Sequence, residues 1–415
     1  MDALQARTHA SLSRAAMVTP EGVVREPLSI RAGRIDASPA RWAYQLDLRD
    51  HLIFPGLINA HDHLQVNAVP PLRTSVPFPN SYAWISAFQA HFENPDVVAA
   101  LEVPKALRLR HGALKNLLAG TTCVAHHDPW HPALDATDFP VTLLREYGWS
   151  YALGWPGYGP PVKESFAATS ADRPWLIHLA EGTDAVAQAE LAQLDQLGLL
   201  ASNSVLIHGV GMREQDMERV TASGAGVIWC PSSNLALLGR TLDPRKLCAS
   251  GRLALGSDSR LSGARDLLDE LSSVIDGYEL TPRQLLGLVT SQAAQILRMP
   301  SRGSLSPGAP ADLLIVEDLG GDEARSLVGI PRSEIRAVVR DGVPCIADPD
   351  FAEWFAIVGV EAVPVMLDGK PKLLAKSFAE PALMALEPGL ELSVGQAEYA
   401  RTLAMGMLAM GRGSR

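Results

Sequence analysis

Two histidines separated by one residue, His61 and His63, follow the apolar run of residues 52–60. Alternate residues of a β-strand share a face, so both imidazoles can turn toward a single metal ion. Pro55 and Gly56 break the element that precedes them and start a new one. The spacing therefore predicts two metal ligands at the end of a strand, with further ligands to come from other parts of the chain.

Three further residues of ligand type, His178, His208 and Asp258, each end an apolar run, and Glu181 follows His178 by three positions. Imidazole and carboxylate ligands suit zinc or ferrous iron. A site of three histidines and one aspartate leaves a position for water, whose pKa falls from ~15.7 toward ~7 on a metal. Hydrolysis also needs a proton acceptor and a proton donor, and two carboxylates in different environments can divide that work.

The elements that carry these residues alternate between short apolar runs and helical patterns. The apolar runs are residues 52–60, 121–126, 151–155, 175–178, 205–208, 227–230 and 253–256, and amphipathic stretches such as 184–197, 214–223 and 264–275 lie between them. This alternation is typical of a parallel sheet in an α/β protein. Reactive residues at the ends of several strands favour a (β/α)8 TIM-type barrel over an open sheet. Seven strands are clear, and we expect the eighth between residues 155 and 174, which makes one unit irregular.

Both chain ends have the pattern of short β-strands, at residues 28–35 and 44–48 and again at 311–316, 335–342 and 363–369. Neither end is large enough for a core of its own, so the sequence predicts one small flanking β-sandwich built from both. The predicted domains are 1–54 plus 303–375 for the sandwich, 55–302 for the barrel and 376–415 for a C-terminal tail. A helix-like piece near 399–410 is expected to pack on the barrel or on another subunit.

The amino-acid composition limits the kinds of partner and the cellular location that we expect for this protein. The 415 residues carry a net charge of −10, which disfavours nucleic acid and anionic membranes as partners. No apolar run approaches the ~18–20 residues of a membrane span. The four cysteines are scattered without a CxxC pair, which favours reduced thiols and a cytoplasmic location. A small-molecule substrate is the partner that we expect.

Seven motifs occur in an order that identifies a family. They are Pro-Gly-Leu-Ile-Asn-Ala-His-Asp-His-Leu (55–64), Gly-Thr-Thr (120–122), His-Leu-Ala-Glu (178–181), His-Gly (208–209), Cys-Pro-Ser-Ser-Asn-Leu (230–235), Leu-Gly-Ser-Asp (255–258) and Gly-Ala-Pro-Ala-Asp-Leu (308–313). Over roughly residues 28–345 the chain resembles the amidohydrolase superfamily. It looks most like the mononuclear-metal branch that includes cytosine deaminase, guanine deaminase and the triazine hydrolases.

The resemblance implies a role for each candidate residue. It implies one divalent metal ion, with Zn²⁺ ahead of Fe²⁺, and the ligands His61, His63, His178 and Asp258. By the same resemblance His208 polarises the hydrolytic water, and Glu181 moves a proton to the ring nitrogen or leaving group of the substrate. Asp258 also accepts the proton of the attacking water. The superfamily further suggests a homodimer.

These roles predict a metal-dependent hydrolase of carbon–nitrogen bonds other than peptide bonds. Hydrolytic deamination of an aminated heterocycle by metal-bound hydroxide is the first expectation. Hydrolysis of an amide or cyclic amide, such as a lactam or imide, uses the same residues and stays open. A non-catalytic scaffold is a third reading, but such a protein should have lost ligands. No lysine ends a middle strand, which disfavours a binuclear site.

Candidate substrate contacts lie next to the proposed metal site. We predict them at Gln65, His127, Trp155 and Asn234. Residues 70–94 are rich in proline and aromatic side chains and have the pattern of a long loop over the barrel mouth, where a lid would exclude water. Residues 157–173 are short compared with the resembling enzymes, and the His-His-Asp run at 126–128 is unusual for the end of the second strand.

Overall fold

The computed structural model describes residues 9–38, 44–72 and 74–393, and every structural statement here refers to these ranges. The helix-like piece predicted near 399–410 lies outside the described residues. Within them, no helix is long and apolar enough to cross a membrane. The four cysteines are all buried and free.

The N-terminal part of the chain forms seven short strands. They are β1 (His9–Ser13), β2 (Ala16–Thr19), β3 (Gly22–Val24), β4 (Leu28–Arg31), β5 (Arg34–Asp36), β6 (Tyr44–Asp47) and β7 (His51–Pro55). Strands β4 and β5 form the hairpin predicted at 28–35. Its two turn residues, Ala32 and Gly33, both have positive φ, which matches the twist of a two-residue hairpin loop.

The central part of the chain contributes eight parallel strands to a barrel of the predicted TIM type. They are β8 (Leu57–Asp62), β9 (Thr121–His126), β10 (Thr142–Leu143), β11 (Gly148–Ala152), β12 (Trp175–Leu179), β13 (Ser204–His208), β14 (Gly226–Trp229) and β15 (Leu253–Leu255). One ladder joins β8, β9 and β10, and a second joins β11 through β15. A parallel bridge between Asp62 and Asp258 connects the end of β8 to the residues after β15.

The eighth strand is not where the sequence predicted it. Residues Val162–Ala168 form a helix, and the missing strand is the two-residue β10 at Thr142–Leu143, which pairs with β9. A strand of two residues has no hydrophobic periodicity to detect. The apolar run 52–60 forms two strands, β7 and β8, which are separated at Gly56, where the sequence predicted a break. Gly56 lies against Thr122 and Asp312 too closely to carry a side chain.

The C-terminal part forms six more strands: β16 (Leu313–Glu317), β17 (Ala337–Arg340), β18 (Val343–Ala347), β19 (Ala362–Leu367), β20 (Lys370–Ala375) and β21 (Leu390–Leu392). They join β7, β2 and β3 in one nine-stranded sheet. Strands β5, β4, β1 and β6 make a separate four-stranded sheet. Strands from the two chain ends therefore lie in a common sheet, and β21 extends it beyond residue 375.

Thirteen α-helices accompany the strands within the described residues. They are α1 (Ser81–His91), α2 (Pro95–Glu102), α3 (Lys105–Leu118), α4 (Val162–Ala168), α5 (Ala185–Gln196), α6 (Glu214–Ser223), α7 (Pro231–Leu238), α8 (Arg245–Ala249), α9 (Leu267–Val274), α10 (Pro282–Leu288), α11 (Ser291–Ile296), α12 (Ala352–Ile357) and α13 (Pro381–Met384). Short 3-10 turns cover Leu64–Val66, Pro132–Asp135, Arg332–Glu334, Pro349–Phe351 and Lys376–Phe378. Side chains cap several helices, as Asp184 does for α5 and Asp266 for α9.

Helix α1 replaces part of the loop that the sequence predicted at 70–94. The Asn80 side chain accepts a hydrogen bond from the Ala83 amide and so caps the helix at its start. The segment before the helix is fixed to the loop after β12, because the Thr183 amide donates to Pro79 and the Ser81 amide donates to the Glu181 carbonyl. Helix α1 is thus anchored beside the ends of the barrel strands.

The barrel strands bury apolar side chains on both faces. Leu176 belongs to one buried cluster, with Val205 and Ile228, whereas its neighbour Ile177 belongs to another that includes the surrounding helices. This division is the alternation expected of a sheet covered on both sides. The barrel places the carboxyl ends of these strands around one opening, the barrel mouth.

Candidate active site

Four ligand-type residues from three strands meet at the carboxyl end of the barrel. His61 lies in β8 and His63 directly after it, His178 lies in β12, and Asp258 follows β15. His61 is fully buried, and His178 and Asp258 are each less than a tenth exposed. The structure therefore brings together the four residues that the resemblance implied as metal ligands.

The distances between their ligand atoms fit one small metal ion. His178 Nε2 lies 3.3 Å from both His61 Nε2 and His63 Nε2. Asp258 Oδ1 lies 3.6 Å from the same two nitrogens. Ligands about 2.0–2.1 Å from a tetrahedral ion are separated from one another by roughly 3.4 Å. His208 also has a ring nitrogen within 4.8 Å of those of His61 and His178.

Hydrogen bonds hold three imidazoles with Nε2 toward the centre. The Nδ1 atom of His178 lies 2.9 Å from the Tyr151 carbonyl oxygen, that of His63 lies 2.9 Å from Asp128 Oδ2, and that of His208 lies 2.8 Å from Asn234 Oδ1. A histidine whose Nδ1–H donates in this way presents Nε2 as a ligand or an acceptor. The residues present thus fit a divalent metal.

The site sets the protonation of its histidines. Burial lowers the pKa of His61 to about 4 and takes that of His178 well below its ordinary value, so both are neutral and can act as ligands. Burial also acts on His63, but the carboxylates of Asp128 and Asp258 outweigh it and raise the pKa of His63 to about 9. Binding of a metal through His63 must therefore release a proton.

Asp258 is held so that one of its oxygens faces the histidines. Its Oδ2 atom accepts hydrogen bonds from Ser233 Oγ at 2.6 Å and Ser262 Oγ at 2.8 Å, which leaves Oδ1 toward the centre. Burial acts to raise the pKa of the Asp258 carboxyl, but the surrounding histidines hold it well below its usual range. Asp258 is therefore an anion at neutral pH.

Glu181 lies beside His208 at the edge of this cluster. Its Oε1 atom lies 3.6 Å from His208 Nε2, and the Ser81 hydroxyl at the start of α1 donates to the Glu181 carboxylate. Burial raises the pKa of Glu181 above its ordinary value, and the Asp258 charge adds to the rise. A buried carboxyl with a raised pKa is suited to donate and accept a proton.

Three non-glycine residues around the site have a left-handed backbone conformation. Ala180, His208 and Asp258 have φ of 53°, 78° and 58°, and each such non-glycine residue costs of the order of 1–3 kcal/mol. In a regular strand the His208 side chain would lie on the opposite face of the sheet from that of Ile207. The left-handed conformation at His208 changes the direction of its side chain. Strain of this kind is typical of functional sites.

A cavity of about 260 Å³ opens next to the ligand atoms. Its lining includes His63, His178, Glu181, His208 and Asp258, and aromatic side chains make much of the wall: Trp84, Phe88, Phe92, Tyr151, Trp155 and Tyr158. Gln65 and Trp155, predicted as substrate contacts, both line it. Helix α1 supplies Trp84 and Phe88, so residues of the predicted lid do form part of this wall.

His127 and Asn234, also predicted as substrate contacts, do not line the cavity. Both side chains are buried behind the ligands. The His127 ring stacks on His178 with 4.4 Å between centroids, and its Nε2 is 3.1 Å from the Ser150 carbonyl oxygen. Asn234 is engaged by His208 Nδ1. These two residues support ligand-type side chains instead of lining the cavity.

The sequence did not single out several residues that complete the site. Asp128 and Tyr158 line the cavity, and Ser81 contacts Glu181. Ser233 and Ser262 orient Asp258. The unusual His-His-Asp run at 126–128 pointed to Asp128, and the motif at 230–235 contains Ser233.

Comparison with known proteins finds a family match in the second half of the barrel. Residues 161–345 match the model of the amidohydrolase family, in agreement with the resemblance that the motifs indicated. The matched segment contains the motifs that begin at His178, His208, Cys230, Leu255 and Gly308.

Individual relatives are similar along most of their length. The chain is 25% identical to 5-methylthioadenosine/S-adenosylhomocysteine deaminase of Nitratidesulfovibrio vulgaris, covering 68% of this chain and 74% of the relative. It is 24% identical to 8-oxoguanine deaminase of Pseudomonas aeruginosa, covering 72% and 81%. Among solved structures, an adenosine deaminase from Xanthomonas campestris with bound zinc superposes with a TM-score of 0.64 at 20% identity, covering 85% and 97%. That likeness confirms the TIM-type fold.

Proposed function

We propose that this protein hydrolytically deaminates an aminated heterocycle. The observation that carries the proposal is the convergence of three histidine Nε2 atoms and Asp258 Oδ1. His178 Nε2 lies 3.3 Å from the Nε2 atoms of His61 and His63, and Asp258 Oδ1 lies 3.6 Å from the same two atoms. This cluster lies beside Glu181 in an aromatic cavity. The two similar proteins described by sequence are both named as deaminases of purine compounds, which supports a planar nitrogen heterocycle as substrate.

The metal would be held by His61, His63, His178 and Asp258. A divalent ion supplies a Lewis acid that makes bound water acidic near neutral pH. We propose zinc, because two or three imidazoles with a carboxylate suit it and a similar structure is described with bound zinc. Ferrous iron is the second choice because the same donor set accepts it.

The chain's own residues then divide the proton transfers. Asp258, an anion whose Oδ1 faces the ligand nitrogens, accepts a proton from the attacking water. His208 is fixed by Asn234 and turns Nε2 toward the same place, where it can hydrogen-bond that water. Glu181 carries a proton to the ring nitrogen and the departing amine. The water oxygen forms a bond to the ring carbon, the carbon–nitrogen bond to the amino group breaks, and ammonia leaves.

Aromatic walls explain how a flat ring would be held against these groups. Trp155 and Tyr158 come from the barrel side, and Trp84 and Phe88 come from α1. Planar side chains offer large apolar contact area to a planar ring. Amide or cyclic amide hydrolysis would use the same catalytic residues, but the deaminase relatives favour deamination.

We also propose the domain division that the sequence predicted, a β-sandwich from 1–54 and 303–375, a barrel from 55–302 and a tail from 376–415, with the difference that β21 of the tail belongs to the sandwich sheet. Strands of both chain ends share the nine-stranded sheet, and residues of both sheets, such as Leu12 and Val339, belong to one buried cluster. Both observations support packing of the four-stranded sheet on the nine-stranded one. A homodimer and a cytoplasmic location stay predictions from the sequence.

Ammonia release from a panel of aminated purines, pyrimidines, triazines and pterins tests the proposal. We expect release from at least one ring class, with loss of activity in Asp258→Asn. Asp138→Asn is the matched control because Asp138 is an exposed aspartate paired with Arg110. Silence of the metal-loaded enzyme across the panel, with turnover of an amide or lactam, would overturn deamination in favour of amide hydrolysis.

A further inference from the structure

The His-His-Asp run at residues 126–128 ends in a carboxylate that contacts a proposed metal ligand. We propose that Asp128 is a positioning residue that fixes His63 for metal binding, and that Tyr158 locks Asp128 in place and connects it to the cavity wall. This inference rests on the metal site of the proposed function and adds two residues that its catalytic steps do not use.

Asp128 meets His63 across neighbouring strands. It follows β9, which pairs with β8 in the barrel, and its Oδ2 atom lies 2.9 Å from His63 Nδ1. Asp128 is only 3% exposed. Because Nδ1–H donates to this carboxylate, the His63 ring is fixed in the orientation that presents Nε2 to His178 and Asp258. A carboxylate behind a ligating histidine also makes the imidazole a stronger donor to the metal.

Tyr158 occupies the other oxygen of the same carboxylate. Its hydroxyl donates to Asp128 Oδ1 at 2.6 Å, so both oxygens have partners and the carboxylate has no free rotation. Tyr158 lies in the short segment between β11 and α4, and its ring packs on Tyr151 with 5.1 Å between centroids. The Tyr151 carbonyl in turn accepts from His178 Nδ1. One cluster therefore supports two of the proposed ligands.

The position of Tyr158 also links the Asp128–His63 hydrogen bond to the cavity. Tyr158 and Asp128 both line the cavity. A molecule that contacts the Tyr158 ring is therefore connected to His63 through two hydrogen bonds, from Tyr158 to Asp128 and from His63 to Asp128. The competing reading is that Asp128 acts directly on the substrate, and metal affinity distinguishes the two readings because only a residue that acts through His63 alters it.

The experiment measures the affinity of metal-stripped protein for Zn²⁺ by competition with a chromogenic chelator. We expect Asp128→Asn to weaken binding by about 10–100-fold, the usual effect of losing a carboxylate behind a ligating histidine. Asp128→Ala removes the hydrogen bond as well as the charge and should weaken binding further. Tyr158→Phe keeps the carboxylate and should have a smaller effect in the same direction.

Control measurements distinguish a specific loss of metal affinity from a general loss of folding. Asp138→Asn makes the same chemical change at an exposed aspartate away from the site and should leave the affinity unchanged. Melting curves of the metal-free variants report folding, and Tyr158→Phe carries the test if the Asp128 variants do not fold. Unchanged Zn²⁺ affinity in folded variants at both positions would overturn this inference while leaving the proposed function intact. A wild-type protein that binds no divalent metal would instead overturn the proposed function.

Discussion

Lys115 Nζ lies 2.8 Å from Asp62 Oδ2, and both side chains are completely buried between β8 and α3. Asp62 separates the two histidines of the proposed metal site. Asn116 and Asn67 also donate to its carboxylate, at 2.8 and 2.9 Å. The carboxylate between the histidines thus points away from the site and fixes the strand end that presents them.

Loss of the Lys115 cation should therefore destabilise the fold. Lys115→Met leaves Asp62 buried without its counter-charge, and breaking a buried pair in this way typically costs about 3–5 kcal/mol. Thermal or urea unfolding measures the loss. Lys246→Met is the control, because Lys246 pairs with Glu218 at the surface and such pairs contribute only about 0–1 kcal/mol. Equal unfolding midpoints for the two variants would contradict a structural role for the buried pair.

Glu181→Gln should separate catalysis from metal binding. The amide keeps the shape of the side chain but cannot move a proton, so the rate should fall by roughly 10²–10⁴-fold. Metal content, measured by elemental analysis of the purified protein, should not change because Glu181 is not among the proposed ligands. Glu146→Gln, an exposed glutamate, serves as the control. A Glu181→Gln protein that has lost its metal would make Glu181 a ligand.

Trp155→Ala should weaken substrate binding. Trp155 lines the cavity, and an aromatic contact of this kind contributes about 1–2 kcal/mol, which corresponds to roughly a 5–30-fold rise in KM. Steady-state kinetics on the best substrate of the panel measures the change. Trp130→Ala is the matched control, since Trp130 is 39% exposed and does not line the cavity. If KM rises equally in both variants, Trp155 is not a substrate contact.

Glu270 should make stability fall as the pH rises. Burial raises its pKa to about 8, whereas an ordinary glutamate titrates near 4.5, so the folded state holds the proton more tightly than the unfolded state. Stability from this group is complete below pH 4.5 and is lost as the pH rises toward 8. Glu270→Gln should therefore melt higher than wild type at pH 8–9 and close to it at pH 4.5.

The size of the Glu270 effect follows from linkage. Each unit of pKa difference corresponds to about 1.4 kcal/mol, so the gap between variant and wild type should exceed roughly 1 kcal/mol at pH 9. Melting curves from pH 4.5 to 9 measure it, with exposed Glu146→Gln as the reference. A constant gap across this range would show that Glu270 stays in one protonation state.

The sequence predicted the parts of this site that have local signals. His61, His63, His178 and Asp258 each stand at the end of an apolar run, and strands of a barrel bring such ends together. The strand at Thr142–Leu143 had no such signal because two residues carry no period. Helix α1 was missed because the prolines before it resemble a loop, although Asn80 caps the helix.

Contacts between distant residues were beyond the reach of local patterns. Asp128 and His63 are 65 positions apart, and Tyr158 is 30 positions from Asp128. Nothing in the spacing of these residues predicts that they meet. The positions of His127 and Asn234 had the same difficulty, because His127 stacks on His178 and Asn234 contacts His208 from α7, and no local pattern predicts either contact.

The most direct test of the account is a titration of metal-stripped enzyme with Zn²⁺ while ammonia release is recorded. One mononuclear site predicts a rate that rises in proportion to added zinc and reaches its plateau at one equivalent per chain. Asp258→Asn should stay near the background rate throughout. Ammonia release that is unaffected by metal removal, or that needs two equivalents for its plateau, would contradict the proposed mononuclear metal-dependent deaminase.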